Sequence, residues 1–335
     1  MQTTAPSMNR VHRHLAILAT ALAAATMAAP ALAQAPWPSK PIRLIVAGPA
    51  GGSADALARL LGTGLQESLG QPVIVESKAG GSGALAINEL SAKGKDGYTF
   101  LVIQDGALSE APLTYKVNYD PFKDLTPLAQ LTRTGLVFVA NKDLPVSNIK
   151  DWAAYAKKQP GGVEFASYAT GFKGHTSGML LGQLTQVTMR HVGYKGSPPA
   201  LVDVMGGHVP FMFDGLTTAT PLIKNGKLKA LAVAYPTRLA SLPDVPTFIE
   251  QGYPQLAKPG WFAVWAQPSV PADIQQKVRA ASLAYFQKEA VLKQVQLIGM
   301  EPGLPVTTAD MVADLKDATQ KQAALLKSIN YQPDN

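Results

Sequence analysis

The chain has 335 residues, 47% of them hydrophobic, with 30 Lys and Arg against 23 Asp and Glu, a formal net charge of +7, and no cysteine. Without thiols it can form no disulfide, thiolate metal site or cysteine nucleophile, so the fold must rest on its core. No run of Lys or Arg exceeds two residues, which argues against nucleic-acid binding and leaves a mild positive field suited to small acidic ligands.

Residues 1–33 read as a secretory signal peptide. Arg10, His12, Arg13 and His14 make a basic start, residues 15–29 are small and apolar, and Ala31-Leu32-Ala33 offers an A-x-A cleavage site before Gln34. The apolar run is alanine-rich and shorter than the roughly 20 residues of a membrane span. There is no twin-arginine pair, which predicts export of an unfolded chain to the periplasm and argues against a cofactor loaded in the cytoplasm. No later apolar stretch has the length of a span.

After the leader, an apolar strand at 42–46 runs into Ala47-Gly48-Pro49-Ala50-Gly51-Gly52-Ser53-Ala54-Asp55 and then a helical pattern with Leu57, Leu60, Leu61 and Leu65. Strand, glycine loop and helix N-terminus together present free backbone N–H groups and partial positive charge to an anion. The arrangement recurs at 73–75, with Gly80-Gly81-Ser82-Gly83 before a helix from Ala84, so two such loops are expected to converge on one crevice. A third strand is expected at 100–103. Two extended pieces flanking Thr134-Gly135 suggest a crossing into a second lobe. There the pattern predicts helices at 148–158, 175–186 and 199–205, and strands at 163–166, 189–192, 210–213 and 230–234. The proline-rich stretch 243–259 reads as irregular, 261–265 as a strand, and 272–297 and 309–328 as helices. Thr307 and Asp310 have the spacing of a capping box.

Several motifs have competing readings. Gly81-Ser82-Gly83-Ala84-Leu85-Ala86 fits the dinucleotide fingerprint, and Asp105 stands at the ribose-binding distance, about 20 residues on. That makes a dinucleotide-dependent oxidoreductase the rival reading. Against it, the fingerprint falls on the second strand of the unit, and export removes the chain from nicotinamide pools. The first loop lacks a Walker lysine, and no G-x-S-x-G elbow occurs. Ser147-x-x-Lys150 has serine–lysine spacing, but Ser147 follows Pro145 and reads as a helix N-cap. His175, His191 and His208 lack i, i+4 pairing, so capping or core hydrogen bonds are expected and no metal site. The loop 168–176 lies between a strand and a helix, where Lys173 and the helix start could grip a carboxylate; a solvated lysine is the alternative. Asp214 is expected at a strand's C-terminal end, where open sheets bind ligands, or else in a turn before Gly215.

Taken together, the segments resemble the periplasmic receptors of tripartite tricarboxylate transporters, the Bug-type proteins. The resemblance runs from Trp37 to about Tyr331. It is carried by Trp37-Pro38-Ser39-Lys40-Pro41-Ile42, by Pro49-Ala50-Gly51-Gly52 with Asp55, and by Leu69-Gly70-Gln71-Pro72-Val73. Asp96-Gly97-Tyr98-Thr99, Tyr119-Asp120-Pro121, His191-Val192 with Tyr194-Lys195-Gly196, Met212-Phe213-Asp214 and Leu242-Pro243-Asp244-Val245-Pro246-Thr247 complete it. It implies a two-lobe α/β Venus-flytrap that closes on a small carboxylate and delivers it to a membrane permease. Lobe 1 would comprise 34–135, lobe 2 136–258, and 259–335 would return to lobe 1, with hinge crossings near 131–139 and 258–264. The implied ligand shell is Ala50, Gly51, Gly52, Ser53 and Asp55; Gly81, Ser82 and Gly83; Gln104 and Asp105; Thr170, Phe172, Lys173 and His175; and Asp214. A monomer without cofactor or metal is expected, and a ligand-sensing partner of a signalling receptor would use the same cleft. Four places depart from the family pattern: Gln104-Asp105 replaces small residues, Phe172-Lys173-Gly174 replaces small polar ones, Gly193 replaces a proline and Gly215 an asparagine. The expected ligand is a mono- or dicarboxylate with at least one hydrogen-bond donor.

Overall fold

The computed structural model describes residues 36–333, so the signal peptide read at 1–33 lies outside the described residues. The apolar run Ile42–Val46 forms strand β1, and its buried Ile42, Leu44, Ile45 and Val46 fit a strand covered on both faces. Helix α1 (Ser53–Leu69) follows the first glycine loop. Its buried Ala54, Leu57, Ala58, Leu61 and Leu65 recur every three to four residues, and Gly70 ends it in left-handed geometry at φ 71° with its N–H on the Gln66 carbonyl. Strand β2 (Val73–Ser77), helix α2 (Ala84–Lys93) and strand β3 (Thr99–Gln104) complete the first series.

Two short helices that the sequence pattern did not predict, α3 (Gly106–Ser109) and α4 (Ala111–Thr114), precede β4 (Thr126–Thr134), which leads through Gly135 directly into β5 (Leu136–Asn141). A Cβ at Gly135 would lie 2.8 Å from the Ala234 carbonyl, so only glycine lets the crossing pass this close. Helix α5 (Ile149–Ala156) is capped by Asn148, whose side chain accepts from Asp151 N at 2.8 Å. The expected cap at Ser147 is therefore corrected by one residue. Then follow β6 (Val163–Ser167), α6 (Lys173–Thr185), β7 (Met189–Gly193), α7 (Ser197–Gly206), β8 (Phe211–Gly215), α8 (Leu216–Lys224) and β9 (Leu228–Ala234). Helix α8 was not expected because Pro221 sits inside it. The proline-rich connection holds one 3-10 turn at Pro254–Leu256. Strand β10 (Gly260–Ala266) follows, and the single helix expected at 272–297 is two, α9 (Ala272–Phe286) and α10 (Glu289–Leu297). Strand β11 (Glu301–Pro302) precedes α11 (Thr308–Ser328), which opens with the Thr307–Asp310 capping box in place.

Two sheets result. The first has the order β11-β4-β10-β3-β1-β2 and the second β7-β6-β8-β5-β9. β1 pairs in parallel with β2 and β3, whereas β10 runs antiparallel to β3 and β4. In the second sheet β6 is parallel to β7 and β8, and β5 is antiparallel to β8 and β9. Each sheet is mixed because the strand by which the chain enters from the other lobe, β10 in the first and β5 in the second, runs antiparallel to both of its neighbours. The first lobe packs Ile45, Leu90, Leu101, Ile103, Trp261 and Trp265 against Met311 and Leu315 of α11. The second is centred on stacked rings: Phe138 lies 4.5 Å from Phe213, and Phe213 5.8 Å from Phe248. Truncating any of these buried rings costs roughly 3–5 kcal/mol.

Candidate functional site: the interlobe cleft

A cavity of about 410 Å³ opens where strand C-terminal ends of both lobes meet, lined by Gly48, Pro49, Gly52, Ser53, Gly80, Ser82, Gly83, Gln104, Asp105 and Glu110 from the first series and by Tyr168, Phe172 and Lys173 from the second. Thr134, Gly135 and Leu136 at the crossing and Gly260 and Phe262 of β10 close it. On the first-lobe side the amides at the start of α1 have no side-chain cap, because the N-cap is Gly52. The second loop places Gly80, Gly81, Ser82 and Gly83 all at positive φ, 129°, 55°, 51° and 98°. Ser82 bears a Cβ in left-handed backbone, a strained geometry of the kind concentrated at ligand clamps.

The remaining first-lobe candidates serve the loop. Ala50, Gly51 and Gly81 are exposed and stand off the cavity wall. Asp55 is buried behind it: its carboxylate accepts from Gly51 N and from Arg59 Nε, both at 2.9 Å. The Arg59 hydrogen bond holds its pKa below the ordinary value. Asp55 thus ties the loop to α1. Gln104 ends β3 on the wall. Asp105 Oδ1 accepts from Trp261 N at 2.9 Å, and burial pushes its pKa up to about 6.

In the second lobe Phe172 is the N-cap of α6 and part of the wall. Lys173 donates its backbone N–H to Glu110 Oε2 at 2.9 Å, while its Nζ donates to the Lys258 carbonyl. Desolvation lowers its pKa, with Asp105 and Glu110 opposing. Thr170 lies off the wall and against Gly193, where an added Cβ would collide with its hydroxyl. His175 is also off the wall, accepting from Gly171 N at 3.1 Å through Nδ1 and stacking on His191 at 3.8 Å. Burial lowers His175 to about 4 and His191 to about 3, so both rings are neutral. Asp214 is fully buried and off the wall as well: Thr218 Oγ1 donates to it at 2.6 Å and Ser197 Oγ donates to its other oxygen.

Sequence reasoning missed Glu110. It sits between α3 and α4, two helices of four residues each, too short for a periodic signal. It is 7% exposed, and burial raises its pKa to about 7. The described residues contain no group of three or more His, Cys, Asp or Glu able to hold a metal ion.

Two α/β lobes joined by crossing strands, with a cavity between loops at their strand ends, define a periplasmic solute-binding protein. The chain belongs to the tripartite tricarboxylate transporter family of receptors, whose profile matches residues 57–331. It is similar to protein BugT of Bordetella pertussis, 34% identical over 306 residues that cover 90% of this chain and 94% of that protein. A solved protein of R. palustris with adipate superposes with a TM-score of 0.79 at 30% identity, over 89% of this chain and 99% of that one. MatC from Rhodopseudomonas palustris, with bound malate, gives 0.74 at 27% identity over 87% and 100%. Members of the family are periplasmic receptors, and no helix among the described residues is long and apolar enough to cross a membrane.

Proposed function

We propose that this chain captures a small organic carboxylate outside the cytoplasm and delivers it to the permease of a tripartite tricarboxylate-type transporter. The observation that carries this reading is the cavity with the uncapped start of α1 and the left-handed Gly80–Gly83 loop on one wall. Backbone N–H groups and the Ser53 and Ser82 hydroxyls suit a carboxylate there. The adipate- and malate-bound neighbours support the ligand class. In this reading residues 34–135 and 259–335 form one lobe and 136–258 the other, moving about 131–139 and 258–264, and the exported monomer begins at Gln34. Gly52, Ser53, Ser82, Gly83, Gln104, Asp105, Phe172 and Lys173 are the ligand-facing members of the expected set.

The protein binds its ligand without turning it over. Among the described residues Ser167 Oγ and His191 Nε2 pair at 2.7 Å, but that serine is fully buried. Asp105, the ribose-binding candidate, spends its Oδ1 on the Trp261 amide. A thermal-shift panel of C4 to C8 aliphatic acids, aromatic acids and amino acids tests the reading: a ligand at 100 times its Kd adds about 2.7 kcal/mol. Stabilisation by carboxylates is expected. Copurified nicotinamide cofactor with turnover of a hydroxy acid would overturn it, and unimpaired uptake after gene deletion would redirect the same cleft to sensing.

A further inference from the structure

The second-lobe side of the cleft is already occupied by a carboxyl group of the chain itself. Helix α6 begins at the cavity wall, and its N-cap Phe172 supplies no side-chain acceptor. The acceptor comes from the other lobe, where Glu110 Oε2 takes the Lys173 N–H at 2.9 Å across 63 residues of sequence. That amide, with the positive end of the helix behind it, is where the far carboxylate of a two-headed ligand would dock. The lysine beside it is committed too, since its Nζ donates to the Lys258 carbonyl. Its single positive charge stands against two buried carboxyls, Asp105 and Glu110, both on the same wall. Tyr168, Ala169 and Phe172, with Leu136 at the crossing, supply the rest of the second-lobe surface. A second anionic head group would therefore meet a filled anion position with two carboxyls around one lysine.

We propose that Glu110 stands in for the distal carboxylate of a ligand, so that the cleft selects monocarboxylates with an apolar or donor-bearing far end and rejects dicarboxylates of the same length. This rests on the carboxylate reading above and narrows it. Asp105 contributes to the rejection, and the first-lobe wall, whose helix start has no such internal acceptor, keeps the one carboxylate site.

Matched acids that differ only in the second carboxylate are the probes: hexanoate against adipate, and benzoate against terephthalate. Titration calorimetry at pH 8 on the full mature chain measures each Kd for wild type, Glu110→Ala and Glu110→Gln, with melting curves to establish that each variant is folded. In wild type the monoacid of at least one pair is expected to bind tenfold or more tightly than its diacid. Glu110→Ala frees the α6 amide and should shrink that ratio by tenfold or more, through tighter diacid binding. Glu110→Gln, which keeps the acceptor shape without the charge, should shrink it by less, and it carries the test if the alanine variant does not fold. A wild type that prefers the diacids, or variants that leave the ratio unchanged, would overturn this inference while leaving carboxylate capture intact. Binding of none of the four acids would overturn this inference, and the carboxylate reading falls with it if no acid of the thermal-shift panel stabilises the protein.

Discussion

Asp214 illustrates how a residue can be placed rightly by its neighbours in sequence and still have an unexpected occupation. The pattern of β8 puts it near the strand end, where it is found, yet its two oxygens take the hydroxyls of Ser197, at the start of α7, and Thr218, in the first turn of α8. Nothing local in the sequence fixes which way that side chain turns, because one partner lies 17 residues away. Asp214→Ala leaves two hydroxyls near two helix starts without their acceptor and is expected to cost roughly 2–4 kcal/mol, read as a lower melting temperature of the free protein. Ligand affinity of the folded fraction should change little. Glu110 gives a second residue-scale outcome, in pH. Its folded pKa of about 7 lies above the ordinary 4.5 through burial, with Lys173 of α6 and the neighbouring Asp105 as the charged groups facing it and Tyr168 close by. A raised carboxyl pKa favours the neutral form, so the contribution to stability is complete below about 4.5 and is lost as pH rises through 7. Relative to Glu110→Gln, which has no such titration, wild-type stability should decline by an amount on the order of 3 kcal/mol between those limits. A difference in melting temperature that stays flat across this window would count against it.

At the scale of elements, legibility followed the length and uniformity of each pattern. β1, α1, β2 and α2 were readable because β-branched runs, glycine loops and helical spacing follow one another without interruption, and the capping box of α11 is a local chemical signature. Helix α8 was hidden by Pro221 and its threonines, and the α9–α10 break by a continuous helical composition that turns at Gln287 and Lys288. Helices α3 and α4 escaped for want of length, and Glu110 with them. The loop before α2 makes its own prediction. Gly83 has φ 98°, and a Cβ there would stand 2.8 Å from Ile103 Cδ1. Gly83→Ala therefore meets both a backbone conformation L-residues resist and a clash with the core, a cost of about 1–3 kcal/mol. The loop should shift before the core does. Carboxylate affinity is expected to fall by at least tenfold while the melting temperature drops only a few degrees, a combination that calorimetry and a melting curve on the same sample distinguish.

For the whole molecule, the two sheets were foreseeable from the break at Thr134-Gly135, but the contacts that hold one lobe against the other join residues far apart in sequence. Helix α11 belongs to the first lobe through Met311 and Leu315, which pack with Ile45 and Leu101. Yet its Gln322, 5% exposed, donates from Nε2 to the Gly171 carbonyl at 2.6 Å and accepts from Thr176 Oγ1 at 3.0 Å, both in the second lobe. Lys258, on the return connection, pairs with Asp314 at 3.1 Å and Asp317 at 2.5 Å of the same helix. These ties lie outside the ligand cavity and bias the approach of the lobes without touching a ligand. Gln322→Ala removes a two-headed interlobe contact and leaves the Gly171 carbonyl and the Thr176 hydroxyl to water once the lobes part, so the closed arrangement should weaken by about 1–3 kcal/mol. In the hinged reading proposed above a ligand held by both lobes binds the closed arrangement, so its apparent affinity falls with the closed population, by up to about five- to 150-fold for that range. Small-angle scattering of the free variant should show a larger radius of gyration than wild type, and saturating ligand should bring the two together. If the free variant and wild type scatter alike and bind alike, Gln322 serves only the packing of α11 and the lobes are held by the cavity itself.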